Sequence, residues 1–282
     1  NNEGVTEAWG VPTVWLGLLG HMRKTEQKFT SLKRVLIGGS AAPRAMMREF
    51  QEKYGVEGLQ GWGMTEMSPI GTVSMIRPKD ADLPLDRQFD IKAKQGRAVF
   101  GVEMKIVNDD GQALPRDGKS FGELLVRGPA IISGYYENPE ASAKAFDSEG
   151  WFRTGDVSKI DPEGYMEIVD RTKDVIKSGG EWISSIDLEN EAVGHPEIAE
   201  AAVIAVHHPK WDERPLLVVV REPDSQLDKQ GVIDYLSQRV AKWWLPDDVV
   251  FVDELPHGAT GKLQKAKLRE QFKDYSLPEV GG

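Results

Sequence analysis

The fold class of the first part of the chain follows from the stretch Val35-Leu36-Ile37-Gly38-Gly39-Ser40-Ala41-Ala42-Pro43. Its three leading apolar residues predict a buried strand, and the segment Arg44–Tyr54 after the proline predicts a helix. A strand, a glycine turn and a helix in this order are typical of a parallel sheet, which presents backbone N–H groups at its carboxyl edge. Residues 1–90 are therefore expected to form the remainder of an α/β subdomain with a partial parallel sheet.

A different pattern covers residues 91–169. Short β-rich runs, among them Val102–Val107, Gly122–Val126 and Tyr165–Val169, alternate with turn signals such as Asp109-Asp110-Gly111. Closely spaced strands that are separated by turns indicate an antiparallel sheet or a small barrel. We therefore predict a small β-barrel-like subdomain in this part of the chain.

A third pattern indicates an α+β domain over residues 170–282. Ser184 precedes a helical run that begins at Ile186, and Asp187 completes a capping-box pattern. The charged segment Asp170–Lys177 separates two compositionally different halves and is the best candidate for an interdomain linker. The remaining predicted elements are the strands Ala201–Val206 and Leu216–Val220 and a helix with apolar positions Val232, Ile233, Leu236 and Val240.

The composition excludes several classes of protein. With 35 Lys and Arg against 45 Asp and Glu, the 282 residues carry a net charge of −10, which argues against general binding to nucleic acid or anionic lipid. Hydrophobic residues make up 40% of the chain, enough for a packed core. The absence of cysteine excludes disulfides and cysteine nucleophiles, and it suits a reducing compartment, so we expect a cytoplasmic protein.

The sequence contains no long apolar segment. Its apolar runs fall far short of the ~20 residues that a membrane helix needs, so we expect no integral membrane contact. The chain opens at Asn1 without an initiator methionine and reads like the interior of a domain. We therefore expect it to be a fragment of a longer protein.

The first candidate ligand-binding motif is Gln60-Gly61-Trp62-Gly63-Met64-Thr65-Glu66. Glycines on both sides of a tryptophan let a flat ligand approach the backbone while the ring stacks on it. Thr65 offers a hydroxyl group to a phosphate, and Glu66 offers a carboxylate oxygen to Mg²⁺. Taken alone, the motif is better explained as a glycine turn around a half-buried tryptophan.

The second motif is Trp151-Phe152-Arg153-Thr154-Gly155-Asp156. A carboxylate held in a Thr-Gly-Asp turn accepts hydrogen bonds from both ribose hydroxyl groups of a nucleotide. The alternative, which the tripeptide alone favours, is an Asx turn whose side chain bonds only to its own backbone.

The third motif is the charge run Asp170-Arg171-Thr172-Lys173-Asp174, which leads into Lys177-Ser178-Gly179-Gly180-Glu181-Trp182-Ile183-Ser184. Charge runs usually form a solvated surface, and that is the default interpretation of this one. The glycine pair between a lysine and a helix cap argues for a second role, because two glycines admit a thin ligand chain against the backbone.

The fourth motif is Pro256-His257-Gly258-Ala259-Thr260-Gly261-Lys262. A lysine on a glycine-containing turn near a chain end reaches a phosphate group as a point charge. The leading glycine and the trailing Ser or Thr of a P-loop are missing, so a Walker-type site is excluded.

The order and spacing of these four motifs resemble those of the adenylate-forming acyl-CoA synthetases, a superfamily that also contains luciferases and peptide-synthetase adenylation domains. The likeness runs from about Thr6 to Phe272 and includes Gly122–Gly128 and Gly134-Tyr135-Tyr136. The stretch Ser178–Ser184 is most similar to fatty-acyl-CoA ligases and methylmercaptopropionate-CoA ligases.

The resemblance implies a two-step reaction with ATP, Mg²⁺, CoA and a carboxylic acid, either a fatty acid or a methylthio acid. The carboxylate attacks the ATP α-phosphate to give an acyl-adenylate and pyrophosphate, and the CoA thiol then attacks the adenylate carbonyl. By the same resemblance Lys262, Thr65 and Glu66 are catalytic, and Glu66 also binds the metal. The implied nucleotide-binding residues are Gly39, Ser40, Ala41, Gln60, Gly61, Trp62, Gly63, Met64, Thr65, Asp156, Arg171 and Lys262.

The resemblance also implies that residues 170–282 form a mobile lid. Lys173 matches the hinge position, at which rotation after adenylation withdraws Lys262 and brings the glycine pair to the CoA arm. The implied CoA-binding residues are Lys177, Gly179, Gly180, Trp182, Trp211 and Trp243. The resemblance leaves the oligomeric state open, a homodimer included.

Two other functions stay open. The enzyme could stop at the acyl-adenylate and hand it to a carrier protein, as an acyl-AMP ligase does. The family's loop for the β- and γ-phosphates lies upstream of the sequence in hand, so the isolated chain could also be a noncatalytic nucleotide-binding module. On that ground we expect the isolated chain to catalyse adenylation poorly.

Overall fold

The computed structural model describes residues 3–39, 42–258 and 263–278. The chain divides into two compact units, Asn1–Ile168 and Val169–Gly282. The first unit holds one five-stranded sheet and most of a four-stranded one, the second unit holds a further sheet, and each unit has apolar cores of its own. The further division of the first part near residue 90 stays a prediction.

The first sheet lies in the first unit and contains three parallel strands followed by two antiparallel ones. Trp15, Leu19, Met47 and Phe50 from two covering helices share one buried core with Val35 of the sheet. The expected partial parallel sheet is thus confirmed, and the second helix has the predicted bounds. In spatial order the strands are β1 (Glu7–Gly10), β2 (Arg34–Ile37), β3 (Glu57–Gly63), β4 (Ile70–Val73) and β5 (Arg97–Ala98), and the helices are α1 (Pro12–Thr25), α2 (Arg44–Tyr54) and α3 (Leu85–Lys92).

The second sheet has four strands in sequence order, and its pairings from β6 to β8 are antiparallel. Its strands are β6 (Glu103–Val107), β7 (Phe121–Arg127), β8 (Phe152–Ile160) and β9 (Met166–Arg171), and it is accompanied by helix α4 (Pro139–Ala145). The Asn138 side chain caps α4 by accepting a hydrogen bond from the backbone of Ala141. The predicted antiparallel sheet is confirmed, but across the described residues it remains an open sheet and does not close into a barrel.

The second unit is built around the long antiparallel pair β12 and β13, and the expected α+β fold is confirmed. Alternate residues of β12 enter two cores: Val203 packs with helices α5 and α6, whereas Ile204 packs with α7. Both faces of these strands are therefore apolar, as in a sheet covered on both sides. The elements are β10 (Ile176–Ser178), β11 (Glu181–Ile183), α5 (Ser185–Val193), β12 (Ile198–His208), β13 (Asp212–Arg221), α6 (Lys229–Ser237), β14 (Asp248–Phe251) and α7 (Lys265–Gln271).

Two local expectations for the second unit need correction. The charge run Asp170–Asp174 is not solvated throughout, because Asp170 is 1% exposed in β9; the role of Asp170–Lys177 as an interdomain linker stays a prediction. Val240 lies beyond the end of α6, although it still packs against the same core. Ser184 caps α5 as predicted, since its hydroxyl oxygen accepts a hydrogen bond of 3.0 Å from the Asp187 N–H.

The helices are too short or too polar to cross a bilayer throughout the part of the chain that the structure describes.

Candidate functional site

Gln60 joins strand β3 to the glycine turn that follows β2. Its side chain is buried, and its Oε1 accepts a hydrogen bond of 3.1 Å from the backbone N–H of Ala42. The backbone N–H of Gln60 donates to the Ser74 hydroxyl at 2.7 Å, and the backbone N–H of Ser74 donates to the backbone carbonyl of Gln60 at 2.8 Å. The Gln60 amide is therefore held in one orientation at the carboxyl end of a parallel strand, where backbone N–H groups collect.

Asp156 lies in a β-bulge, and the predicted Thr-Gly-Asp turn is wrong in that respect. The register of β8 against β7 shifts between Arg153 and Val157, and Gly155 within this interval has φ +71°. A left-handed conformation inside a strand favours glycine, and a bulge re-aims the neighbouring side chains. Thr154 pins the bulge, because its hydroxyl donates to the Leu124 carbonyl at 2.8 Å and accepts the Asp156 N–H at 3.1 Å.

The first and second motifs meet at a buried hydrogen bond. The indole Nε1 of Trp62 donates to Oδ2 of Asp156 at 2.8 Å. The tryptophan is 8% exposed and the aspartate 5%, so the bond is shielded from water. A buried carboxylate needs such donors, and the indole holds it in a defined direction. Both alternatives from the sequence are therefore incomplete, because neither anticipates a contact between the two motifs.

Thr65 and Glu66 follow β3 in a short 3-10 turn, Thr65–Met67. Thr65 is exposed, whereas the half-buried Glu66 accepts a hydrogen bond of 3.1 Å from the Tyr135 hydroxyl on its Oε1. Burial and this bond raise the pKa of Tyr135, which keeps its hydroxyl protonated as a donor. The sequence motifs do not identify Tyr135 as a site residue, although Gly134-Tyr135-Tyr136 is part of the family resemblance.

A magnesium ion fits Glu66 only as part of a complex with phosphate. The described ranges contain no cluster of three or more His, Asp or Glu residues that could hold a metal ion alone. Mg²⁺ is commonly bound by one or two carboxylates and completes its shell with phosphate and water oxygens. A single carboxylate beside a nucleotide meets that requirement, so the residues present fit the predicted ion.

The glycines of the first motif have packing reasons of their own. A Cβ on Gly63 would lie 1.9 Å from the Pro69 carbonyl oxygen, and one on Gly61 would lie 3.2 Å from the Leu36 side chain. These two glycines therefore do not by themselves indicate a flat ligand. Met64 packs partly buried in the core beside Trp62.

The turn after β2 is only partly described. Gly39 has φ +81°, a left-handed conformation that favours glycine. Ser40, Ala41 and Lys262 lie outside the described residues, so their predicted contacts with the nucleotide stay predictions.

In the second unit, Arg171 and Lys173 are exposed around a tight turn. The Arg171 carbonyl accepts hydrogen bonds from the N–H groups of Asp174 and Val175, both at 2.9 Å. Asp174 forms an ion pair with Arg269 of helix α7. Lys173 thus projects from a turn whose ends are fixed.

The predicted coenzyme residues gather around the β10–β11 hairpin. Gly179 and Gly180 have φ of +60° and +88°, as a two-residue hairpin turn requires. The Gly179 N–H donates to the Trp211 carbonyl at 2.8 Å, and a Cβ there would lie 2.7 Å from the Trp211 ring. The Lys177 ammonium lies 4.9 Å from the centre of the Trp182 ring. The glycine pair therefore has a structural role that is independent of any ligand.

Arg214 connects this hairpin to the segment that contains Trp243, and sequence reasoning missed it. Its guanidinium donates to the Ser178 hydroxyl at 3.1 Å, the Trp243 carbonyl at 2.8 Å and the Leu245 carbonyl at 2.9 Å. It also pairs with Asp247 at 2.7 Å. Trp211 and Trp243, at 43% and 45% exposed, are thereby presented to solvent from one bonded framework. Arg214 lies in the polar start of β13, next to Asp212 and Glu213, and its partners are distant in sequence, so the local sequence did not identify it.

Comparison with known proteins gives matches along almost the whole chain. The family model described as AMP-binding enzyme matches residues 1–136, and the model described as AMP-binding enzyme C-terminal domain matches residues 187–262. A 3-methylmercaptopropionyl-CoA ligase from Ruegeria lacuscaerulensis is 52% identical over 271 residues, which are 96% of this chain and 50% of that protein. A medium-chain-fatty-acid–CoA ligase from Ectopseudomonas oleovorans is 50% identical over 98% of this chain and 50% of its own length.

Two solved structures also match almost the whole chain. ATP-bound MatB from Rhodopseudomonas palustris matches with a TM-score of 0.78 and 32% identity, over 96% of this chain and 51% of its own. The o-succinylbenzoate CoA synthetase MenE from Bacillus subtilis, in complex with its acyl-adenylate intermediate, matches with a TM-score of 0.77 and 31% identity over 99% and 53%. The chain spans about half the length of the relatives it matches.

Proposed function

Because this chain belongs to the AMP-binding enzyme family, we propose that the whole protein is an ATP-dependent carboxylic acid–CoA ligase that works through an acyl-adenylate. The observation that carries the proposal is the buried hydrogen bond between Trp62 and Asp156. It joins the two motifs proposed for nucleotide binding, and Glu66 lies in the turn directly after the same strand. The names of the similar curated ligases support a fatty or methylthio acid as the substrate.

The proposal assigns a chemical task to each of five site residues of the first unit. Asp156 accepts hydrogen bonds from the ribose hydroxyl groups, and Trp62 keeps its carboxylate in the required direction. Gln60 contacts the adenine edge, for which an amide offers both a donor and an acceptor. Thr65 contacts the α-phosphate. Mg²⁺ bound beside Glu66 would neutralise phosphate charge.

The proposed reaction needs a positive charge at the α-phosphate, and Lys262 is assigned that task. The substrate carboxylate forms a bond to the α-phosphorus while the bond to pyrophosphate breaks, and negative charge increases on the phosphoryl oxygens. A cation placed there in advance stabilises this transition state. In the second step the CoA sulfur bonds to the acyl carbon and AMP leaves.

The acceptor in the second step is proposed to be CoA. The support is the exposed Trp211 and Trp243 with the hairpin of Lys177, Gly179, Gly180 and Trp182, which offers aromatic faces and a cation to an adenine-containing phosphate ester. An acyl-AMP ligase that serves a carrier protein is the second candidate. Rotation about Lys173, a homodimer and a cytoplasmic location remain predictions from the sequence.

The stoichiometry of the complete protein tests the proposal. With ATP, Mg²⁺, CoA and either decanoate or 3-methylmercaptopropionate, we expect one AMP and one pyrophosphate for each acyl-CoA formed. Formation of ADP, or of acyl-CoA without AMP, would contradict it. Accumulation of acyl-adenylate with no acyl-CoA would favour the carrier-protein alternative. AMP binding to the 282-residue chain by calorimetry, without turnover, would support a noncatalytic role for that chain.

A further inference from the structure

The tight turn between β12 and β13 carries Trp211, one of the residues proposed to bind CoA. Strand β12 ends at His208 and β13 begins at Asp212, so Pro209, Lys210 and Trp211 form a three-residue connection. His208 and Asp212 are register partners at its base. Asp212 has φ +69°, a left-handed conformation that is uncommon outside glycine. The turn therefore depends on bonds from its surroundings to keep this shape.

The imidazole of His208 supplies such bonds. Its Nδ1 accepts hydrogen bonds from the backbone N–H groups of Lys210 at 3.0 Å and of Trp211 at 3.2 Å. An Asn or Asp side chain makes bonds of this kind, to backbone groups a few residues further along, in an Asx turn. Here a ring nitrogen takes the place of the amide or carboxylate oxygen.

A carboxylate beside the imidazole favours this accepting state. Because Nδ1 accepts hydrogen bonds it carries no hydrogen, which leaves the ring hydrogen on Nε2. Nε2 lies 4.0 Å from Oδ2 of Asp247, whose Oδ1 accepts a hydrogen bond of 2.7 Å from Arg214. The surroundings of one ring nitrogen commonly set the state of the other. Asp247 thus lies beside both the imidazole that binds the Trp211 turn and the guanidinium that binds the Trp243 carbonyl.

Trp211 is held at both of its backbone polar groups. Its N–H is bonded to His208, and its carbonyl accepts the N–H groups of Gly179 at 2.8 Å and of Glu213 at 2.9 Å. The direction of the Cα–Cβ bond follows from the two flanking peptide planes. These bonds therefore set where the indole, which is 43% exposed, leaves the backbone.

Stability alone explains the contribution of His208 poorly. The two N–H groups that it binds belong to exposed residues, and water would bond to them if the imidazole were absent. The net gain in stability from such a bond is small. What the imidazole does provide is order, because it limits the conformations that the turn adopts before a ligand arrives. A contact that is already ordered loses less entropy on binding.

We propose that His208 is a positioning residue that fixes the Trp211 backbone so that the indole presents its face to the adenine ring of CoA. The inference rests on the proposed function in one respect, the assignment of CoA binding to Trp211. A flat base such as adenine stacks on an exposed aromatic ring. His208 contacts no substrate in this role, and its effect is on how much order the turn must still acquire at binding.

The test uses the complete protein and compares variants of His208. His208→Leu removes the acceptor, whereas His208→Asn keeps one, because the amide Oδ1 is separated from Cα by the same number of bonds as Nδ1. We expect His208→Leu to raise the KM for CoA about three- to tenfold, which corresponds to ordering one side chain at binding. Its kcat and its rate of pyrophosphate exchange should stay within about twofold of wild type.

A truncated acceptor separates positioning from a general disturbance. Pantetheine carries the same thiol as CoA without the adenine nucleotide, so it has no ring to stack on Trp211. We expect wild type and His208→Leu to use pantetheine with the same kcat/KM. His208→Asn should restore the KM for CoA to within about twofold of wild type. His207→Leu, at the exposed neighbouring position, is the control and should change neither substrate's kinetics.

The outcomes distinguish this inference from the proposed function. A wild type that forms acyl-CoA, together with a normal KM for CoA in His208→Leu, would overturn the positioning role. Equal losses with CoA and pantetheine, or no rescue by asparagine, would overturn it as well. Loss of the thermal unfolding transition in His208→Leu would assign the bonds to stability and would also overturn it. A wild type that forms acyl-adenylate but no acyl-CoA would defeat the proposed acceptor and this inference with it.

Discussion

The two units hold their proposed ligand-binding groups in different ways. In the first unit two of these groups are themselves buried and bonded: Gln60 is fixed by Ala42, and Asp156 is fixed by Trp62. In the second unit, Trp211 and Trp243 are exposed, and the hydrogen bonds are made by the half-buried Arg214 to the segments that carry them. The first arrangement fixes the ligand-contacting atoms themselves, whereas the second fixes only the backbone from which the exposed Trp211 and Trp243 side chains project.

This difference has a functional interpretation under the proposed function. Rigid contacts suit a nucleotide that stays bound through two steps, because the conformational entropy of the contacting side chains is lost on folding and is not lost again on binding. Groups that act in only one of the two steps are better carried on a surface that can engage and withdraw. The comparison therefore predicts that substitutions in the two units affect different measurable quantities.

The largest effect is expected from removing the proposed catalytic cation of the second unit. In the complete protein, Lys262→Ala should lower the adenylation rate by about 10²–10³-fold, since one stabilising contact to the transition state is lost. Pyrophosphate exchange measures this step. Thioester formation from supplied acyl-adenylate should be nearly unchanged. Equal losses in both steps would contradict the proposal that Lys262 acts only in adenylation.

A smaller loss is expected from loosening the rigid contact of the first unit. Trp62→Phe keeps most of the packing but leaves the Asp156 carboxylate without its indole donor, at a cost of about 1.5–3 kcal/mol in the free energy of unfolding. We expect AMP affinity, measured by calorimetry, to fall about tenfold. Trp9→Phe is the matched control because Trp9 is 67% exposed. An unchanged AMP affinity in Trp62→Phe would show that Asp156 does not need fixing.

Removing the hydrogen bonds of Arg214 in the second unit should affect only CoA, the proposed substrate of the second step. Arg214→Met removes the bonds to Ser178 and to the carbonyls of Trp243 and Leu245, which frees the segment carrying one aromatic face. We expect the KM for CoA to rise about fivefold, in line with the loss of a few partly exposed contacts. Pyrophosphate exchange should stay at the wild-type rate, and a parallel fall in exchange would argue against separate tasks.

The smallest effect concerns the pH dependence of the second unit's stability. Burial and a hydrogen bond to Asp248 raise the pKa of Tyr275 to about 12. A raised folded-state pKa contributes stability that is complete below the unfolded value of about 10 and is lost as pH rises through the folded value. Urea unfolding should therefore show a deficit of about 1 kcal/mol for Tyr275→Phe at pH 8 that disappears above pH about 12. A deficit that persisted at high pH would exclude this hydrogen bond as its source.

The sequence predicted the elements whose signals are local. The apolar run at Val35–Ile37 and the helix Arg44–Tyr54 depend on neighbours along the chain, and both lie where the patterns indicated. The cap at Ser184 is equally local, because its partner is three residues away.

The features that escaped prediction depend on distant partners. The bulge at Gly155 is defined only against β7, so the tripeptide alone suggested a turn. Asp170 reads as part of a solvated charge run until Lys265 and Ser185 are brought to it by folding. Tyr135 gained its significance only through the contact of its hydroxyl with Glu66.

The bond between Glu189 and β12 has a consequence for the behaviour of the protein in concentrated solution. Among the described residues, β12 is the terminal strand of its sheet, and the carboxylate of Glu189 accepts a hydrogen bond from the N–H of Val203 at 2.7 Å. An edge strand with apolar residues on both faces and unpaired backbone N–H groups can pair with strands of other molecules and so promote aggregation. Replacement of Glu189 by alanine frees this N–H, and we expect it to increase self-association in concentrated solution, measured by light scattering on the folded variant.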